Sequence, residues 1–296
     1  MKFRMLGKTG LQVSEIGFGA AQIGNPSLLE SQVESVLNTV LDLGITFIDT
    51  AAMYGDSEER IGKFIAHRQD AFILATKCGD YQVINGGKRE IVKDYSPEGI
   101  LRTIDTSRAK LKMDVIDIVQ FHGLPGEADD WNAAFDALLE ARDRGWTKFV
   151  GVSADGLAAA AAAQKWALDT QEFTYNVLFQ ESAENLMPTL HDRDMGTIIK
   201  RPIANGVYLR SERPDGSYMG DPWDRAQQMP LRELANDMPL IEFALRFTLS
   251  HEDVCTAIVG STNVDHLADN VKISDGEVLP EDVLDRTKRV FQSLFG

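Results

Sequence analysis

Short apolar runs alternate with helix-forming stretches along almost the whole chain, and this alternation limits the possible folds more than any single motif. The runs are IGFGA (16–20), TFIDT (46–50), FILATK (72–77), VIDIVQF (115–121), KFVGVS (148–153), EFTYNV (172–177), GTIIK (196–200) and CTAIVG (255–260). Between them, 28–43 is apolar at helical spacing and stops at Gly44, and 57–67 opens with Ser57 and Glu58. Segment 96–112 carries Pro97 at its start, 131–143 reads as a helix, and 157–168 is rich in alanine. Strands that are apolar throughout, each followed by a helix, imply a parallel sheet covered by helices on its outer face. Eight such strands point to closure, so the expected fold is α/β, a (β/α)8 TIM barrel. The opening KFRMLGKTGLQVSEI adds an N-terminal β-hairpin turning at Gly7–Gly10. A barrel of this class takes about 250 residues, so the 296 residues fit one domain spanning 1–296.

The rival architecture, an open doubly wound sheet, requires a G-x-G-x-x-G turn after the first strand. Here Gly17-Phe18-Gly19 is followed by AAQIG, and the GKT at 7–9 lacks the earlier glycine of a phosphate loop. A formal charge of −15 argues against a nucleic-acid partner, which needs clustered Lys and Arg, and against an anionic membrane surface. It does not exclude an anionic cofactor, because helix N-termini and a few local cations suffice. With two cysteines, no apolar leader at the start and no uninterrupted membrane-length apolar stretch, the expectation is a cytoplasmic monomer without a disulfide framework.

Four polar residues sit where this pattern puts strand ends. Asp49 closes TFID, Lys77 closes FILATK, His122 follows VIDIVQF, and Tyr54 lies in the loop after Asp49. Taken singly, each has a structural explanation: a loop cap, a solvated lysine, a histidine before the turn at Gly123, and wall packing. Together they end consecutive strands about 4.8 Å apart, so their side chains converge. Carbonyl reduction needs a proton donor for the developing alkoxide, and free tyrosine, with a pKa of about 10, is too weak an acid. A neighbouring Lys77 ammonium would lower that pKa, Asp49 would hold Lys77, and His122 would orient the carbonyl oxygen. No HExxH or Cys/His ligand spacing is present, so no metal is expected. The same strand-end lysine leaves a Schiff-base lyase open as an alternative.

The segments GFGA, FIDTAAMYG, LATKCG, VQFHG and GVS, then YN, KRPIANG and IVGSTNVDHLADN, resemble the aldo-keto reductase family along nearly the whole chain. The resemblance implies a nicotinamide-dependent oxidoreductase acting on an aldehyde, ketone or sugar-type carbonyl or alcohol. Tyr54 would be the general acid, Lys77 and Asp49 its assistants, and His122 the substrate-orienting group. It also implies a cofactor extended across the barrel mouth, against Gly19, Ala20, Ala21, Asp49, Ser153 and Glu172. The contact would continue along Lys200, Arg201, Pro202, Ile203 and Asn205 and end at Gly260, Ser261, Thr262, His266 and Asn270. Several positions depart from the family pattern. Ala154 stands where many members have Asn, Glu172 where a Gln is frequent, and Lys200 or Arg201 near the place of a stacking aromatic. Gly260 and His266 replace the Lys and Arg that select NADPH, so NADP(H) is the first expectation and NAD(H) its rival. A cofactor-sensing barrel without turnover is a further alternative.

Segments 80–96 and 205–228 read as irregular loops following strands, the side on which barrels build active sites, and are expected to wall the substrate pocket. Trp131 and Trp223 are candidate wall residues, and Cys78 is a candidate reactive thiol because Lys77 adjoins it. Helix 281–294 is expected to cover the side of the barrel and leave the pocket fairly open.

Overall fold

The structure is a computed structural model and describes residues 1–296. Strands β1 (Phe3–Met5) and β2 (Gln12–Ser14) form the N-terminal antiparallel hairpin. The barrel strands are β3 (Ile16–Gly19), β4 (Phe47–Asp49), β5 (Ile73–Cys78), β8 (Ile116–His122), β9 (Thr147–Ser153), β10 (Thr170–Thr174), β11 (Gly196–Lys200) and β12 (Thr256–Val259). They close in the order β10-β11-β12-β3-β4-β5-β8-β9, every pair parallel. This is the (β/α)8 barrel that the eight-fold alternation predicts.

Two-residue periodicity sorts every barrel strand into two faces. Ile48, Leu74, Val119, Val150, Phe173, Ile199 and Ala257 point outward and join one cluster of 66 buried residues with the helices. Phe47, Ala75, Ile118, Ile198 and Ile258 form a separate inner layer, closed at its lower end by Leu6 and Val13 of the hairpin segment. Arg4 anchors that end by donating to the carbonyls of Leu249 and Val254 at 2.7 and 2.6 Å. Two residues further along the same strands, the inward side chains become Asp49, Lys77, Gln120, Glu172 and Lys200. The barrel is therefore apolar in its lower half and ionic at its upper mouth.

Three expectations are corrected. Segment 80–96 is not irregular: β6 (Asp80–Asn85) and β7 (Lys88–Lys93) pair antiparallel in a second hairpin. Its turn is Gly86-Gly87, both at positive φ, the conformation a tight two-residue hairpin requires. Segment 205–228 contains a helix over Ser217–Gln228 after a 3-10 stretch at Ala204–Leu209. The sixth barrel strand also lies earlier than EFTYNV. It ends at Thr174, because the Asn176 side chain accepts from the Leu178 and Phe179 amides and folds the chain into a turn.

Candidate active site

Strand ends place the four expected residues together. Asp49 and His122 are the last residues of β4 and β8, and Lys77 is next to last in β5. Lys77 Nζ donates to both Asp49 oxygens, at 2.5 and 2.6 Å, and to the Thr50 carbonyl at 3.1 Å. It lies 5.3 Å from the centre of the Tyr54 ring, and that ring meets His122 edge-on at 5.4 Å.

Tyr54 is held by its backbone. Its N–H donates to the Ala51 carbonyl, and Ser57 links the next helix to Thr50 and to the Ala20 carbonyl. Gly55 has φ +56 and lies against the Gly24 carbonyl, so a Cβ there would overlap that oxygen. The loop carrying Gly24 is in turn fixed by Arg60, which is buried and donates to the carbonyls of Ile23, Asn25 and Leu28.

The electrostatics differ from the simple expectation for Tyr54. Lys77 does pull its proton affinity down, but burial raises it more, and Asp49 and Glu172 add to the rise. The phenol therefore titrates above its ordinary range. Burial leads this rise, and a second carboxylate adds to it: Glu172 Oε2 lies 3.1 Å from Lys77 Nζ. Lys77 itself is raised, because Asp49 and Glu172 outweigh its burial. Burial and the facing Glu172 push Asp49 well up. His122 is lowered to about 3 by burial and then by Lys77, so its ring is neutral. Its Nδ1 is buried without a partner. Cys78 is fully buried and its thiol is pushed up, so the expected reactive thiol is instead an inert core residue.

Around these groups lies a polar cavity of about 220 Å³ lined by Gly19, Ala21, Asp49, Tyr54, His122, Ser153, Glu172, Lys200, Arg201, Asn205 and Gly260. At Asn205 and Gly260 it meets a larger cavity of about 750 Å³, lined also by Ile203, Ser261, His266 and Asn270. A third space of about 540 Å³ opens beside Tyr54 and includes Thr262. Ala20 and Pro202 line none of the three. Both are buried behind the wall, and their carbonyls accept from Ser57 and Thr248. Trp131 packs on Trp166 at 5.6 Å, and neither it nor Trp223 lines these spaces.

Several lining residues escaped sequence reasoning. Gln22 and Tyr218 come from segments whose direction no periodicity sets, and Gln82 and Arg89 from the unexpected hairpin β6–β7. Gln120 had a legible signal, since it shares the inward parity of Ile118 and His122.

The long groove suits an extended dinucleotide. The Ser261 and Thr262 backbone N–H groups make no hydrogen bond within the chain and precede the helix Val264–Ile273. At the Tyr54 end Ser153 and His122 line the polar cavity. Lys200 and Arg201 stand at the rim, shared with Asp155 at 3.1 and 3.5 Å.

A family model described as the aldo/keto reductase family matches residues 15–291. D-threo-aldose 1-dehydrogenase of a Pseudomonas species is 28% identical over 305 residues, covering 91% of this chain and 92% of that protein. L-galactose dehydrogenase of Arabidopsis thaliana is 27% identical over 290 residues, covering 92% and 87%. Among solved structures, the holo form of an aldo-keto reductase from Bacillus halodurans superposes with a TM-score of 0.84. It is 27% identical and covers 98% of this chain and 96% of its own.

Proposed function

This chain belongs to the aldo/keto reductase family and is a nicotinamide-dependent oxidoreductase, and from that premise we propose that Tyr54 is the proton donor in carbonyl reduction. The observation that carries this reading is the placing of the Tyr54 ring beside both Lys77 and His122 at the mouth of the barrel. When bound, the nicotinamide supplies the hydride. The Tyr54 phenol gives its proton to the carbonyl oxygen, and the Lys77 ammonium stabilises the phenolate left behind. Asp49 fixes Lys77 through two hydrogen bonds. Neutral His122 orients the carbonyl oxygen without competing for the proton. No step asks for a metal ligand.

Ser153, Glu172, Lys200, Arg201 and Asn205 would hold the nicotinamide half of the cofactor. Ile203, Gly260, Ser261, Thr262, His266 and Asn270 would hold the adenosine half. NADP(H) is the preferred form, because Arg210, His266 and Lys272 line the outer cavity as groups suited to a phosphate dianion. NAD(H) is its rival, since Gly260 brings no cation. The space beside Tyr54 is lined by the polar side chains of Gln22, Asn25, Gln82 and Arg89, which supports a sugar-type carbonyl, as the names of the two dehydrogenases also do. A Schiff-base lyase is disfavoured, because such a lysine must be an unprotonated amine and Lys77 is an ammonium bound by two carboxylates.

Tyr54→Phe tests the proposal. Turnover on a panel of aldehydes should fall by at least the roughly 10²–10⁴-fold that a general acid contributes. NADPH should still quench the protein fluorescence. Wild-type turnover in the variant would refute the assignment, and cofactor binding with no turnover in the wild type would favour a sensing barrel.

A further inference from the structure

Lys77 is held by two acidic side chains. Asp49 binds its ammonium through both oxygens and Glu172 adds a third at 3.1 Å, with each of the three side chains at most 2% exposed. One carboxylate is enough to fix a lysine. A second one buried beside it is resisted, for burial and Glu172 push Asp49 up, and the Glu172 charge needs support from other partners. Gln120 provides it, donating from Nε2 to Glu172 Oε2 at 3.0 Å.

The charged and titratable groups facing Glu172 come from four strands and one loop. They are Lys77 on β5, Lys200 on β11, Asp49 on β4, His122 on β8, and Tyr54. Burial raises Glu172, but Lys77 and then Lys200 hold it below the usual carboxylate range, so it is an anion at neutral pH. An anion in the same cavity as a phenol opposes formation of the phenolate.

Resting on the reading of Tyr54 as the acid, the geometry points to Glu172 as a positioning residue for the proton donor. As the second carboxylate on Lys77, it keeps Tyr54 a phenol until the substrate alkoxide takes its proton. The consequence is a site biased toward giving a proton, hence toward carbonyl reduction at neutral pH. Alcohol oxidation, which needs the phenolate to accept a proton, is displaced to higher pH.

The test needs no cofactor. The full chain and its Glu172→Gln variant are titrated by phenolate absorbance up to pH 12, each with and without Tyr54→Phe, so that the difference isolates Tyr54 from the other tyrosines. Loss of one charge should shift Tyr54 by about 1 pH unit, raising its phenolate-to-phenol ratio about tenfold. Glu172→Asp, which keeps the charge, should restore the wild-type signal. An unchanged Tyr54 signal in Glu172→Gln overturns the proposal. If Tyr54→Phe is inactive while that signal stays put, only the role of Glu172 falls; if Tyr54→Phe turns over normally, the reading beneath it falls. Should Glu172→Gln not fold, Lys200→Met removes the outer cation facing Glu172. The less screened Glu172 charge must then lower the Tyr54 phenolate signal, and an unmoved signal overturns the proposal.

Discussion

Lys77→Met separates the electrostatic work of the buried lysine from its packing, because the two side chains are similar in length. The substitution leaves Asp49 and Glu172 facing each other at the barrel mouth with 2% exposure each and no counter-ion between them. In the wild type Glu172 is held below its unfolded value, so it contributes stability that is present above about pH 4.3 and lost as the pH falls through the folded value of about 2. Without Lys77 burial prevails for the pair, which must take up one more proton than in the wild type to stay buried. Protonating a carboxyl of pKa about 4.3 costs about 3.7 kcal/mol at pH 7 and about 1 kcal/mol at pH 5, at 1.36 kcal/mol per unit. The neutral-pH figure agrees with the roughly 3–5 kcal/mol for breaking one side of a buried ion pair. Urea unfolding of wild type and variant at pH 5, 6 and 7 should therefore show a stability gap that widens by about 1.4 kcal/mol per pH unit. A gap of the same size at all three pH values would mean that no extra proton is bound, and the argument for a buried carboxylate set would fail.

Two further predictions follow from the site and its support. His122, held at about 3 by burial and Lys77, should stay neutral by nitrogen NMR from pH 8 to pH 5. Its folded value lies below the unfolded one, so stability should fall as the pH drops from about 6.5 toward 3; an imidazolium at pH 5 would refute this. Arg60→Ala removes the guanidinium that ties down the carbonyls of Ile23, Asn25 and Leu28. It should cost about 3 kcal/mol in urea unfolding and raise KM, because the loop it frees carries Gln22; an unchanged KM would detach that loop from substrate binding.

The barrel was legible because its evidence is local. Each strand is a short apolar run, and some helices carry a capping signal, as Pro97 and the Ser96 side chain accepting from Gly99 do. Periodicity also placed Asp49, Lys77 and His122 at strand ends, where a barrel puts its chemistry. In the hairpin at 80–93, Asn85-Gly86-Gly87 is a turn signal, but the charged residues on either side mask the apolar alternation that marks a strand.

The amino-acid order alone determined that inward and outward residues alternate, and therefore that Phe47, Ala75 and Ile118 are followed two positions later by Asp49, Lys77 and Gln120. It did not determine which strands face each other across the mouth. Glu172 lies 95 positions beyond Lys77, and only closure of the sheet brings its carboxylate to 3.1 Å from Nζ. That contact adds to burial, which leads the reversal of the expectation for Tyr54. A cation next to a tyrosine lowers its pKa when considered as a pair, but burial and a second anion are properties of the whole enclosure. Local pattern sets which way a side chain points; the folded chain sets how much water and how many charges surround it, and those two quantities decide the acid–base chemistry.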